Sequence, residues 1–252
     1  MDTNEKLNSW KQSEENQKNF QGWDFSYLEG KYEMAETPWD YRSFVLQYLT
    51  DEYQLLDMGT GGGELLQSFA HPKNLTAVTE GWVPNYELLR KELAPQGVNV
   101  QFVEEDDRLN FPDQSFDLVT NSHESFSIEE VARVLKPGGF FITQQVGDLN
   151  GIQLSSKLIP GFQKLSFPLH LSTVVNELKQ QGFRILYANE SYPTQRFFDM
   201  DGLIYYAKTI PWEFPDFSVE TNFPELLALE EELERQGYIE NREHRFIVVA
   251  QK

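Results

Sequence analysis

The ten residues from Leu55 to Glu64, LLDMGTGGGE, set an acid after two leucines and then four glycines among five positions. That order reads as a buried strand turning sharply beneath a nucleotide-like ligand. Gly59, Gly61, Gly62 and Gly63 permit positive φ and a closer backbone approach than any side chain would allow. Asp57, at the strand's end, can turn a carboxylate into the crevice above a sheet. Glu80 closes a second apolar run, LTAVTE, where a carboxylate can accept from both hydroxyls of a ribose. Gly81 and Trp82 follow, and the Trp82 ring suits the face of an adenine as well as it suits a core. In the segment VEEDDRLNFPDQSF from Val103, Glu105 and Asp106 are acids that can meet an amino group and its ring, with a solvated acidic turn as the alternative. Dinucleotide enzymes also carry glycines here, but their fingerprint asks for a small residue where this chain has Glu64.

The elements that must position these residues alternate in the α/β manner. Strands are expected at about 54–58, 75–80, 98–103, 116–120, 140–146, 183–188 and 245–250. Helices lie between them, among them 128–135, which Pro137, Gly138 and Gly139 end. Strand–helix units in this order imply a mostly parallel sheet with the ligand at the carboxyl ends of its strands. Residues 1–50, polar and then aromatic, are expected to form a helical cap. A core at 51–192 follows, then a Pro- and aromatic-rich lid insertion at 193–223, then the last helix and strand of the core at 224–252.

Composition narrows the partners. The chain has 252 residues, with 40 acidic against 21 basic and a formal net charge of -19. This repels phosphate backbones and makes nucleic acid a disfavoured partner. Cysteine is absent, which removes disulfides, thiolate metal sites and cysteine nucleophiles. The start is polar and no apolar run approaches the length of a membrane span, so a soluble, cytoplasmic protein without a membrane partner is expected. His123 and Glu124 are adjacent, no HExxH spacing occurs, and no metal is expected.

LLDMGTGGGE resembles motif I of class I S-adenosylmethionine-dependent methyltransferases, Asp-x-Gly-x-Gly-x-Gly, filled by Asp57, Gly59, Gly61 and Gly63. Leu109 to Asp117, LNFPDQSFD, is similar to the family's LPFPDxSFD, and Arg133 to Gly139, RVLKPGG, matches the turn before its fifth strand. The resemblance runs from about Leu55 to Val146. It implies a Rossmann-like α/β fold: a seven-stranded, mostly parallel sheet with an antiparallel last strand and helices on both faces. It also implies S-adenosylmethionine as cofactor, contacted by Asp57, Gly59, Thr60, Gly61, Glu80, Gly81 and Trp82. By family position Glu105 reads the adenine amino group, Asp106 offers its amide to the ring, and Asn121 belongs to the same cofactor set. Two departures are Asn110, where proline is common, and Glu80, where aspartate is commoner.

Asn121, Ser122, His123 and Glu124 stand where the family places residues facing the transferable methyl. His123 is the candidate general base, since histidine titrates near neutral pH; a structural hydrogen bonder is the alternative. The Pro-Pro-aromatic motif of base and glutamine N-methyltransferases is missing from TNSHES. Trp39, Tyr41 and Arg196, from the aromatic cap and insertion, are the candidate substrate contacts, which suit a small organic acceptor. The reaction implied is methyl transfer to oxygen or nitrogen of a small molecule. An RNA or protein methyltransferase, and a non-catalytic S-adenosylmethionine binder, remain as alternatives.

Overall fold

The computed structural model describes residues 3–20, 24–104 and 108–252. Its elements in chain order are α1 (Thr3–Asn16), β1 (Tyr32–Met34), α2 (Tyr41–Tyr48), β2 (Leu55–Met58), α3 (Glu64–Ser68), β3 (Thr76–Glu80), α4 (Val83–Glu92) and β4 (Asn99–Phe102). There follow β5 (Phe116–Ser122), α5 (Ile128–Val134), β6 (Leu135–Val146), α6 (Ile152–Leu158), α7 (Leu171–Gln180), β7 (Arg184–Ser191), β8 (Thr194–Phe197), α8 (Met200–Thr209), α9 (Phe223–Gln236), β9 (Ile239–Arg242) and β10 (Arg245–Gln251). None of the helices among the described residues is long and apolar enough to cross a membrane.

By its internal contacts the chain divides into two units, and it passes from one to the other after Thr37, Gly147, Phe167, Ser191 and His244. The sheet unit holds a Rossmann-like core of seven strands in the order β4-β3-β2-β5-β6-β10-β7. Parallel pairing joins β4 through β6, and β10 runs antiparallel to both β6 and β7. Strand order turns back between β2 and β5, the switch point beside which ligands bind in such sheets.

Alternate strand residues feed two separate clusters, as the period of two requires. Leu56, Val119, Phe141 and Val248 join Val131 and Val134 of α5 and Leu178 of α7. Their neighbours Leu55, Leu118, Ile142 and Val249 join Val45 of α2, Leu66 of α3 and Leu89 of α4. β2 is buried at all four positions, which explains why its sequence is a continuous apolar run interrupted only by Asp57.

The two motifs around α5 are one structure. Arg133 Nη1 donates to Phe111 O at 2.7 Å and Asp113 Oδ1 at 2.9 Å, while Nη2 donates to Leu109 O at 2.8 Å and Glu130 Oε2 at 2.7 Å. Glu130 also accepts from Leu109 N, and Ser127 caps the helix by accepting from Glu130 N. The arginine of RVLKPGG therefore holds the carbonyls of LNFPD. β6 begins at Leu135, earlier than the expected Phe140, because Leu135 already pairs with Phe116. Gly138 takes φ +81 within that segment, and its N–H donates to Lys252 O.

The helical unit is where structure and expectation part. Residues 1–37, 148–167 and 192–244 make one unit, rather than a cap at 1–50 and a lid at 193–223. The helix expected to belong to the core, α9, packs instead through Leu226 and Leu229 with Trp10 of α1, Leu154 and Leu158 of α6, and Leu203 of α8. The reason is α8, which is buried on almost every side and offers apolar surface all round, so several helices are needed to cover it. A small antiparallel sheet, β1-β8-β9, completes the unit.

Replacing Arg133 by lysine removes the fork that reaches acceptors on four residues. R133K should lower stability by about 1–3 kcal/mol, read by urea unfolding with an unchanged m-value. A loss within a few tenths of a kcal/mol would show that the fork does not hold the loop.

Candidate active site

β2 delivers Asp57 to the switch point, and the chain then turns through Gly59, Gly61 and Gly63 at φ of +65, +63 and +87. Gly59 N and Thr60 N both donate to Thr79 O of β3, at 3.0 and 3.2 Å, so the loop is anchored to the neighbouring strand. A Cβ on Gly81 would meet Val103 O at 2.9 Å, which explains the glycine directly after β3. Glu64 folds back over Gly62: a Cβ there would lie 2.5 Å from both carboxylate oxygens.

Two carboxylates define the chemistry of this loop. Asp57 is buried, and Thr120 Oγ1 donates to its Oδ1 at 2.6 Å. Burial raises the Asp57 pKa to about 6, the hydrogen bonds of Thr120 and Thr60 oppose the rise, and Glu80 adds to it. Glu80 is also buried, and its oxygens accept from Gly61 N at 2.8 Å and Trp82 N at 2.9 Å. Trp82 stands 46% exposed at the head of α4, a ring presented to solvent rather than to a core. The structure thus brings Asp57, Gly59, Thr60, Gly61, Glu80, Gly81 and Trp82 around one loop. Glu105 and Asp106 lie outside the described residues.

At the end of β5, Asn121 is fully buried and its Oδ1 accepts from Thr143 Oγ1 at 2.9 Å and from Gln145 Nε2 at 2.5 Å. Its Nδ2 has no hydrogen-bond partner. His123 follows with φ +62, a left-handed conformation that strains a non-glycine residue by about 1 kcal/mol, and its N–H donates to Gln144 O. Its imidazole pKa is lowered to about 4, first by desolvation and then by the Arg245 guanidinium. Because His123 is exposed, water offsets part of that desolvation; the direction leaves a neutral imidazole at physiological pH.

Each of the three candidate substrate contacts has partners within the protein. Tyr41 is buried; its hydroxyl reaches Asn121 O at 3.0 Å and Ile142 O at 3.1 Å and accepts from Asn121 N at 3.1 Å. Burial, and then Asp57, pushes this phenol well above its ordinary range. Trp39 is buried with its Nε1 donating to Gln144 Oε1 at 3.3 Å. Arg196 belongs to the helical unit, where it pairs with Glu33 and Glu240 across the small sheet and lies over the Tyr238 ring. Thr120 and Gln145, which hold the crevice residues, were not among the sequence candidates. Their signal is register with Asp57 and Asn121 across strands, which a linear reading does not contain.

Comparison with known proteins follows the same stretch. Residues 56–143 match the family model of a methyltransferase domain. The chain is 28% identical over 137 residues to the ubiquinone/menaquinone biosynthesis C-methyltransferase UbiE of Stutzerimonas stutzeri (strain A1501), covering 49% of this chain and 53% of that protein. It therefore spans about half the length of the curated relatives it matches. A crystal structure from Bacillus halodurans C-125 superposes with a TM-score of 0.58 at 17% identity, covering 84% of this chain and 98% of the other. The [4+2]-cyclase SpnF superposes with a TM-score of 0.50 at 18% identity, covering 84% and 79%. The fold is that of the class I S-adenosylmethionine-dependent methyltransferases.

The raised Asp57 pKa sets a pH signature. Between about 3.8 and 6 the folded state binds more protons than the unfolded state, so this residue's contribution to stability falls as pH rises through that window and is fully lost above it. Asp57→Asn, which keeps the acceptor for Thr120, should gain about 1–3 kcal/mol at pH 7.5 and nothing near pH 3.5. Urea unfolding at both pH values checks it; equal effects at both would contradict the assignment.

Proposed function

We propose that this protein is an S-adenosylmethionine-dependent methyltransferase that methylates oxygen or nitrogen of a small organic acceptor. The observation that carries the reading is the pair of buried carboxylates, Asp57 and Glu80, set around a loop whose glycines admit a ligand to the backbone. The residues fit the cofactor: burial disfavours the Asp57 charge, and a cationic ligand would relieve that cost.

In this reading Asp57 orients the loop and faces the methionine ammonium, Gly59 and Gly61 admit the cofactor with Thr60 beside them, and Glu80 holds the ribose hydroxyls. Trp82 lies against the adenine, and Glu105 with Asp106 reads its edge. Bound there, S-adenosylmethionine supplies an electrophilic methyl on a sulfonium that leaves as a neutral thioether. The chain's part is to hold the acceptor in line, exclude water and take a proton where one is present. His123, neutral and exposed just past β5, takes that proton.

The formal charge of -19 supports a small acceptor over RNA. The curated relatives are named for methylation of carbon, and a cyclase shares the fold, so the assay below follows the methyl group itself.

Calorimetry should show binding of S-adenosylmethionine and none of NAD. With methyl-labelled cofactor and fractionated cell extract, label should enter the small-molecule fraction; label confined to RNA or protein would refute the acceptor class. His123→Ala should lower kcat about 100-fold while cofactor affinity stays within twofold, and full turnover by that variant would remove the base assignment.

A further inference from the structure

Glu124 lies two residues beyond the end of β5, and its side chain is folded against the glycine loop. An ideal Cβ built on Gly59 would overlap Glu124 Cβ and Cγ and lie 2.9 Å from its Oε2, so the stem of Glu124 rests on the Gly59 backbone. Two sets of contacts hold it there. Gln145 Nε2 donates to Glu124 O at 2.9 Å, and Ser125 N and Oγ each donate to Glu124 Oε1 at 3.2 Å. Gln145 is itself buried and fixed by Asn121 and Thr143. An acidic side chain is therefore pinned over one of the positions where the loop can be approached most closely, with Oε2 the oxygen nearest Gly59.

The other two carboxylates of the loop have different partners. Glu80 accepts from Gly61 N and Trp82 N with one oxygen each, and Asp57 accepts from Thr120 at the end of β2; the reading above gives them the ribose and the ammonium, which the donor and the product share. Glu124 is half-buried, so its carboxylate can meet a ligand's charge without the full penalty of desolvation.

We propose that Glu124 is a specificity residue that makes this site read positive charge, favouring a cationic sulfonium nucleoside over the neutral thioether that remains after transfer. The inference rests on the reading of the loop as an S-adenosylmethionine site. Glu124 attracts the donor before transfer and loses that attraction when the methyl carries the charge away. Its action therefore tightens donor binding and hastens product release with one contact.

The test is calorimetry on the full chain with S-adenosylmethionine and S-adenosylhomocysteine. The wild type should favour the donor, and raising salt from 50 mM to 0.5 M should shrink that preference. Glu124→Gln keeps the shape and the acceptor for Ser125; it should weaken the donor about tenfold and the product less than twofold. Equal weakening of both ligands, or no change in either, would overturn the inference. So would tightening of both in Glu124→Ala together with an unmoved ratio in Glu124→Gln, which would mark the side chain as an obstruction over Gly59. If both variants unfold, a salt-independent ratio in the wild type still overturns the inference, because it excludes charge reading. A wild type that binds neither nucleoside would overturn the cofactor reading itself, and the inference with it. One that binds both with a ratio unmoved by Glu124→Gln leaves that reading standing and removes the inference alone.

Discussion

β2 and β5 pair in parallel at the point where strand order turns back, and there Asp57 stands level with Thr120, their side chains joined at 2.6 Å. The crevice depends on this pairing. The chain leaves β2 through glycines and leaves β5 through the turn that carries His123 and Glu124. Any slip in register would separate the acid, the loop and the turn together. Tyr41 reinforces the same point by bonding to the backbones of β5 and β6, so an aromatic residue well before the first core strand helps fix the crevice.

Seven strands of the core were readable because each is a short apolar run closed by glycine, proline or a polar turn. Asp57, Glu80 and the glycines were readable because their positions at strand ends follow from that order. The helical unit was not. It is assembled from three stretches far apart in the chain, its strands β1, β8 and β9 are three or four residues long, and such pieces carry too little periodicity to announce pairing. The helix α9 shows the difficulty well: its leucines specify an inward face without specifying which core they enter.

The aromatic and basic candidates taught a related lesson. Trp39 and Tyr41 have the composition of a pocket wall, yet their polar atoms are engaged by Gln144 and by strand backbones. Arg196 has the composition of an anion contact, yet it ties Glu33 to Glu240. Residue type alone cannot separate these uses, because a buried indole, phenol or guanidinium must find a partner whether or not a ligand is present. Glu124 is the opposite case. Its placement over Gly59 joins positions far apart in sequence and leaves no trace in local pattern.

The five passages between the two units bear on how such a protein can change through descent. A module encoded by one continuous stretch can be exchanged by a single recombination event. Here neither unit is continuous, so no single crossover can replace the helical unit while leaving the sheet unit whole. Divergence of the helical unit must then proceed mainly by point changes and by insertions within its three stretches. The sheet unit, interrupted twice, can tolerate those insertions only where the junctions at 147–148, 167–168, 191–192 and 244–245 keep their strands and helices in step.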